Sequence, residues 1–318
     1  MIANHISTRD RLRGSALFVL LCLALAGACG TRKPAPISQK TFATADEAAQ
    51  ALARAVEAND VNALMLLFGD DAKDFIASGD AVQDRNQRAA FAARIREAMK
   101  LDKDTGDANR VVILTGNDGD PFAVPLVRKA NRWRFDTDAG STELLARRIG
   151  ANELDTIELC GGYVEAQQKY AIEDPAQIGI AVYAERLISS PGKKDGLYWP
   201  AESGGAVSPI SAQITKAAAE GYSKKDERPV PYHGYYYKIL KAQGLHAPGG
   251  AHDYVQKGLM LGGFALVAWP AEYGASGIKT FIVDQDGVVV EKDLGDKTTE
   301  IAKAMIAYDP DPTWRPTQ

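Results

Sequence analysis

Two histidines in the last third of the sequence are the residues whose types and spacing come closest to a chemical site. His246 and His252 share a Gly-rich stretch, and Asp253 follows directly. Imidazole and carboxylate groups are zinc ligands, so a metal site is one interpretation of this stretch. A solvated loop is the other, and we favour it, since the sequence lacks His-Glu-x-x-His, Cys-x-x-Cys, phosphate-loop and Gly-x-Ser-x-Gly patterns. We predict no metal, no cofactor and no catalytic residue.

Two turn-like stretches resemble functional motifs. Gly274-Ala275-Ser276-Gly277 is one residue short of the nucleophile elbow and lies between two predicted strands, so we interpret it as a turn. Asp284-x-Asp286-Gly287 begins like a calcium loop, but the later ligands do not follow. Asp-Gly between β-branched runs predicts a hairpin turn instead.

Cys160 and the pair Arg147-Arg148 also have structural explanations. Cys160 falls at helical spacing with Leu154, Ile157 and Val164, which favours a small core residue over a nucleophile. The two arginines lie near a predicted helix start and are interpreted as solvated, salt-bridged side chains.

Aromatic residues are concentrated around the Gly-rich stretch. On a strand, Tyr235 and Tyr237 face one side and Tyr236 the other, so one set belongs to the core. The other set could form a surface for a protein or a glycan, but core plus ordinary surface is the explanation that we favour for the excess. The predicted partner surface consists of Tyr235, Tyr237, His246, His252, Tyr254, Trp269 and Tyr273.

The first 28 residues have the pattern of a secretory signal. Three arginines precede the apolar run Ala16–Ala26, which is too short to span a membrane. Small residues then lead to Cys29, as in bacterial lipoproteins, where this thiol carries the lipid. Ala26 stands where lipoproteins usually have leucine, so a plain secretory signal is the alternative. Gly30 follows the cysteine in place of aspartate, which favours the periplasmic side of the outer membrane.

The charge and the cysteine content limit the partners. The leader holds three of the 37 basic and one of the 41 acidic residues, leaving 34 against 40. This mildly acidic balance without a basic stripe argues against nucleic acid. If Cys29 is lipid-modified, only Cys160 remains and no intrachain disulfide forms. We therefore expect a membrane contact through the lipid and an envelope protein or glycan as partner.

The pattern predicts an α+β protein with two modules. After the polar tether (29–40), Thr44-x-x-Glu47 is expected to cap an Ala-rich helix. Further helices follow, one of them around Asn86–Met99. Strands are then expected at Arg110–Thr115, Phe122–Arg128 and Trp133–Asp136. This domain (41–140) resembles the cone-shaped folds related to nuclear transport factor 2.

The second module (141–318) is predicted to be a long helix packed on an antiparallel sheet. The helix covers Ser141–Ile172, with Gly150 and Gly161-Gly162 as points where it could break. A short helix at Pro209–Ala219 and a last helix at Thr298–Tyr308 are also expected. The strands are expected at Gly234–Leu240, Phe264–Trp269, Lys279–Val283 and Val288–Lys292.

Six stretches together resemble the bacterial domain-of-unknown-function family 2950. They are WRFDTDAG (133–140), RRIGANEL (147–154), AQQKYA (166–171), DGLYWP (195–200), GYYYKIL (234–240) and the long run from Gly262 to Gly295. The resemblance spans about Phe42 to Tyr308. Its members are usually predicted to be secreted or lipid-anchored, and it implies no activity and no catalytic residues.

The second module also resembles the globular heads of type IV pilins and pseudopilins. Asn152-Glu153, Ile157, Ala166-Gln167 and Tyr170 occupy one helix, as in many of those proteins. A whole domain stands where pilins have their cleavage site and apolar helix, so this chain could not polymerise as they do.

We therefore expect a non-enzymatic binding or scaffolding lipoprotein of the cell envelope, using the aromatic surface or a pocket in the first module. One alternative is a periplasmic hydrolase or metal-dependent enzyme whose residues converge only in three dimensions. The other is an accessory of a secretion or pilus-like machinery, which the pilin-like pattern alone supports.

Overall fold

The computed structural model describes residues 38–103, 106–200, 207–220, 222 and 230–317. The predicted signal peptide (1–28) and most of the predicted tether (29–40), including Cys29, lie outside these residues. No helix among the described residues is both long enough and apolar enough to cross a membrane.

The first part of the chain is a group of helices followed by an antiparallel sheet. Its elements are α1 (Ala45–Glu57), α2 (Val61–Phe68), α3 (Lys73–Ile76), α4 (Ala81–Glu97), β1 (Met99–Lys103), β2 (Arg110–Thr115), β3 (Asp120–Pro121), β4 (Leu126–Lys129) and β5 (Arg132–Phe135). The strands are ordered β1-β2-β4-β5, and β3 pairs with β2. One face of this sheet packs on the helices, and the shared core includes Leu52, Leu67, Ile113 and Phe135.

The start of α1 follows from its sequence. The Thr44 hydroxyl accepts the Glu47 N–H at 3.1 Å, and the Glu47 carboxylate accepts the Ala43 N–H at 3.0 Å. These bonds satisfy donors that a helix N-terminus leaves open, so the predicted capping box is confirmed. The helix predicted up to Met99 ends at Glu97 instead, because Ala98 is extended and Met99 already pairs with Thr115 in β1.

The second part of the chain contains one long helix and a second antiparallel sheet. Its elements are α5 (Thr137–Glu173), α6 (Ser211–Glu220), β6 (Tyr235–Leu240), β7 (Ala242–Gln243), β8 (His252–Asp253), β9 (Val255–Gln256), β10 (Leu259–Met260), β11 (Ala265–Pro270), β12 (Lys279–Asp284), β13 (Val290–Asp293), α7 (Thr298–Ala304) and β14 (Arg315–Pro316). The main sheet has the order β14-β13-β12-β11-β6, and β7-β8 and β9-β10 form separate pairs.

Helix α5 is continuous and packs on this sheet. It passes through Gly150 and Gly161-Gly162 without a break. Cys160 is fully buried in the second core, as predicted, and burial raises the pKa of its thiol to about 12. Leu154, which was assigned to the same face, is 68% exposed, because the neighbouring Asn152 and Glu153 are the residues that turn toward the sheet.

These elements confirm the α+β class. Ile37–Gln318 forms one compact unit, in which the two hydrophobic cores are separate clusters. The predicted boundary between residues 140 and 141 falls in the first turns of α5.

Two glycines of α5 give a matched test of how tightly this helix packs at its start. A Cβ on Gly140 would lie 2.6 Å from Val124 Cα and 2.7 Å from the Ala123 carbonyl oxygen, whereas Gly150 has nothing within 4 Å. We expect Gly140→Ala to lower the free energy of unfolding by about 1–3 kcal/mol through overpacking. Gly150→Ala should raise it by about 0.5–1 kcal/mol, because alanine favours the helix.

Urea unfolding followed by circular dichroism measures both changes. Equal stability of the two variants would show that the backbone at Val124 does not press against the first turn of α5.

Candidate functional site

The predicted aromatic surface is divided between the core and the exterior. Tyr235, Tyr254 and Trp269 are buried, and the partly buried Tyr237 has its hydroxyl 3.4 Å from Thr156 Oγ1. These side chains pack inside the second core, so they do not present a surface to a partner. The partly exposed Tyr273 donates to Asp293 at 3.0 Å.

The two histidines of the Gly-rich stretch are exposed and lie in different local settings. His246 Nδ1 is 2.9 Å from Asp309 Oδ1. His252 contacts the carbonyl oxygens of Gly250 and Gly262, at 3.2 and 3.1 Å. No group of three or more metal-binding side chains occurs in the part of the chain that the structure describes.

Both motif-like stretches are turns, as predicted. Ser276 is buried, and its hydroxyl donates to the Glu272 carbonyl at 3.1 Å and accepts the Glu272 N–H at 3.0 Å. Asp284 accepts the N–H of Asp286 at 3.1 Å and begins the hairpin between β12 and β13. Asp284 is 1% exposed, and this burial raises the pKa of its carboxyl above the ordinary value.

The most highly connected polar group in the described residues is Asp80, which sequence reasoning did not single out. Its Oδ1 caps α4 by accepting the N–H groups of Val82 and Gln83, at 3.1 and 3.0 Å. Its Oδ2 accepts the Tyr222 hydroxyl at 2.7 Å and the Gly234 N–H at 3.0 Å. The residue is 1% exposed, so four donors, two from the first turn of α4 and two from distant residues, replace its water. Burial and the bond to Asp80 raise the pKa of Tyr222.

Asn152 continues this network from α5. Its amide oxygen accepts from Gln83 at 2.6 Å, and its amide nitrogen donates to the Ser276 carbonyl at 2.8 Å. Gly234 lies so close to it that a Cβ there would be 2.4 Å from Asn152 Nδ2, and its φ is +76°. Only glycine fits this position, because it needs both the left-handed backbone and the close approach.

The prediction that Arg148 is solvated is wrong, because its side chain is only 10% exposed. Its guanidinium donates to the carbonyls of Asp74, at 2.8 Å, and Phe75, and lies 3.9 Å from Asp84 Oδ1. Burial lowers its pKa below the ordinary value. Arg147 is exposed and pairs with Glu143 at 2.7 Å, as expected of a solvated arginine.

His233 sits between two carboxylates beside this network. Its Nδ1 is 2.9 Å from Asp155 Oδ2, and its Nε2 is 2.8 Å from Glu220 Oε2. A carboxylate only accepts, so both contacts are hydrogen bonds when the ring is the imidazolium. The ring stacks on the Tyr232 ring, with centroids 4.1 Å apart. The backbone of His233 is in the left-handed region, with a φ of +49°. His233 thereby connects α5 to the end of α6.

We call the set Asp80, Gln83, Asn152, Tyr222, His233 and Gly234 the polar junction. Its side chains bond to one another, to the backbone and to Asp155 and Glu220, whereas Gln83 Oε1 is buried without a partner among the described residues. These hydrogen bonds hold together α4, α5, α6 and the entry to β6. The only trace in the sequence is Asp80 itself, a helix-capping residue type before a charged helix.

A groove at the C-terminal end of α5 is one concave surface of the described part of the chain. Its volume is about 690 Å³, and it is open to solvent. It is lined by Gln168, Ala171, Ile172, Asp174, Gly179, Ile180, Ala181 and Tyr183. Ile172 is 84% exposed and Ile180 is 53% exposed, which is unusual for two large aliphatic side chains at one place.

The backbone beside this groove is irregular and has few hydrogen bonds. Asp174 ends α5 in the left-handed conformation, and its carboxylate accepts the N–H groups of Ile178 and Gly179, at 2.8 and 2.7 Å. Tyr183 pairs with Met260. Between them, residues 180–182 make no backbone hydrogen bond to any residue that the structure describes. The groove therefore combines exposed aliphatic side chains with unpaired peptide groups.

Comparison with known proteins places the chain in a family. The family described as "Protein of unknown function (DUF2950)" matches residues 39–317. The chain belongs to this family, which confirms the resemblance drawn from its motifs. No curated protein and no solved structure matches the chain, and the resemblance to pilin heads is not confirmed.

Two capping aspartates test how much the polar junction adds to stability. Asp60 caps α2 through one bond to the Ala63 N–H at 2.9 Å and is exposed, whereas Asp80 caps α4 and also holds Tyr222 and Gly234. We expect Asp60→Ala to cost about 1 kcal/mol, the usual value of an N-cap. Asp80→Ala should cost about 3–5 kcal/mol, because it also leaves buried donors unpaired.

Thermal and urea unfolding of both variants give the comparison. If Asp80→Ala costs no more than Asp60→Ala, the bonds from Tyr222 and Gly234 contribute nothing to stability.

Proposed function

We propose that this protein is a lipid-anchored binding or scaffolding protein of the bacterial cell envelope, without catalytic activity of its own. Its partner-binding surface in this proposal is the groove at the end of α5. The observation that carries the proposal is the combination there of exposed Ile172 and Ile180 with the unpaired backbone of residues 180–182.

The chemistry of the groove selects the partner. An extended segment can pair with unpaired peptide groups and add a strand, while alternate side chains occupy apolar positions beside it. The one acidic residue of the lining, Asp174, already accepts two backbone N–H groups. The partner is therefore an extended apolar segment of another envelope protein, in preference to a charged ligand or a glycan.

A peptide with alternating isoleucine and threonine, six residues long, tests this mode of binding. Fluorescence anisotropy should show saturable binding of the labelled peptide to Ile37–Gln318, the compact unit that holds both cores. We expect Ile180→Asp to weaken binding roughly tenfold or more, because it removes buried aliphatic area. A peptide with alternate N-methyl groups should bind equally poorly, because it cannot donate to a strand edge.

Leu245→Asp is the matched control, since Leu245 is 80% exposed but does not line the groove. Unchanged binding by Ile180→Asp, or an equal loss in Leu245→Asp, would rule out the groove as the site.

The anchor has its own test. In bacteria that express the full chain, labelled palmitate should be incorporated into the wild type and into Cys160→Ala, but not into Cys29→Ala. Cys160 is buried in the folded protein and serves as the control. Label on Cys29→Ala, or its absence from the wild type, would leave a plain secretory signal as the explanation of the leader.

A further inference from the structure

The sheet of the first part of the chain has a second face, which none of the helices in the described residues covers. Val111, Ile113 and Thr115 of β2 point into the core, with exposures of 3% or less. Side chains alternate along a strand, so Arg110, Val112 and Leu114 point the other way. The same outward face continues on β4 and β5, because Arg110 of β2 pairs with Val127 of β4, and Val127 pairs with Arg134 of β5.

This outward face concentrates positive charge. Alternation and register assign five basic side chains and one acidic side chain to it: Lys100, Arg110, Lys129, Arg132, Arg134 and Asp102. No ion pair to an acidic side chain involves Lys100, Lys129, Arg132 or Arg134 in the described part of the chain. The chain as a whole has a net charge of −4, so this excess of cations runs against the overall balance.

Aliphatic side chains lie among these cations. Val112, Leu114 and Val127 are partly exposed in the middle of the same face. Cations around a shallow apolar centre suit the boundary between lipid headgroups and acyl chains, where charge attracts and apolar area inserts. A second copy of the chain would bring cations against cations, which disfavours self-association through this face.

The direction in which the chain enters the sheet agrees with such a contact. Phe42 pairs with Trp133 of β5, and Arg132 donates to the Thr41 carbonyl at 2.8 Å. The predicted tether therefore reaches the fold at this sheet. Gln39 is ten positions after Cys29, and ten extended residues reach at most about 35 Å.

We infer that this outward face, formed by β1, β2, β4 and β5, binds the headgroups of anionic phospholipids. The inference concerns a contact of the folded protein with the membrane surface and does not depend on the groove or on the lipid at Cys29.

The test uses Ile37–Gln318, which lacks Cys29, so no attached lipid contributes. Co-sedimentation with vesicles of phosphatidylglycerol and phosphatidylethanolamine should show binding that increases with the phosphatidylglycerol fraction and falls as salt rises from 50 to about 500 mM, since salt screens exposed charges. Vesicles of phosphatidylcholine should bind little.

The double variant Lys100→Gln/Lys129→Gln should bind roughly thirtyfold more weakly, because each basic residue near an anionic surface contributes about fivefold. Neither lysine side chain makes a hydrogen bond to another described residue, so the fold should persist, as unfolding curves would verify. Lys193→Gln/Lys303→Gln removes the same charge from exposed lysines elsewhere and should bind like the wild type.

Several outcomes would overturn the inference. These are equal binding to phosphatidylcholine, an equal loss in both double variants, and binding to double-stranded DNA without binding to vesicles. Dimerisation through this face, seen as a change of sedimentation coefficient that Lys100→Gln/Lys129→Gln alters, would also overturn it.

Discussion

The carboxylate of Asp80 is the group on which the arrangement of the two halves depends. Removing a charge from water costs several kcal/mol unless the protein supplies other partners. Here the partners are two N–H groups of the α4 N-terminus, the Tyr222 hydroxyl and the Gly234 N–H. The last two come from 142 and 154 residues further along the chain. The buried carboxylate has these four partners only when α4, Tyr222 and the entry to β6 are all in place, which couples the first core to the second.

Arg148 adds a balancing charge near this point. It donates to the carbonyls of Asp74 and Phe75 at the end of α3, where a helix leaves acceptors open and carries partial negative charge. Asp84, 3.9 Å away, accepts the Ser78 N–H with both oxygens, at 3.2 and 3.0 Å. Each buried charge is thus compensated by backbone dipoles as well as by its counterpart. This explains why charged residues that would ordinarily lie in water are retained in the interior.

Local rules predicted the elements of this fold well, and long-range contacts escaped them. The Thr44 capping box, the Asp286-Gly287 turn and the strand Arg110–Thr115 each depend on residues a few positions apart, which a single sequence displays. The burial of Tyr235 and Tyr254 and the insertion of Arg148 depend on partners far along the chain. Alternation along β6 indicated that the tyrosines on one face of this strand are buried. It did not indicate how different the two faces are, because Tyr236 on the other face is itself partly covered by Trp269, with ring centroids 5.7 Å apart. The groove escaped prediction for the same reason, since exposed Ile172 and Ile180 look like core residues in a sequence.

The pilin-like pattern on α5 has a physical explanation within this fold. Glu153 accepts the N–H groups of Ile278 and Lys279, both at 2.9 Å. Gln167 bonds to both backbone groups of Ala184, and Tyr170 donates to the Lys194 carbonyl. A long helix beside a sheet must satisfy backbone groups of the segments that pass it, and polar side chains at helical spacing do so here.

The same helix bears on the two proposed surfaces. It begins just after β5 and ends at the groove, and its 37 residues correspond to a length of about 55 Å. A sheet face resting on a membrane would therefore leave a binding groove separated from that face by the length of α5. This separation would let a membrane contact and a protein partner be engaged at once.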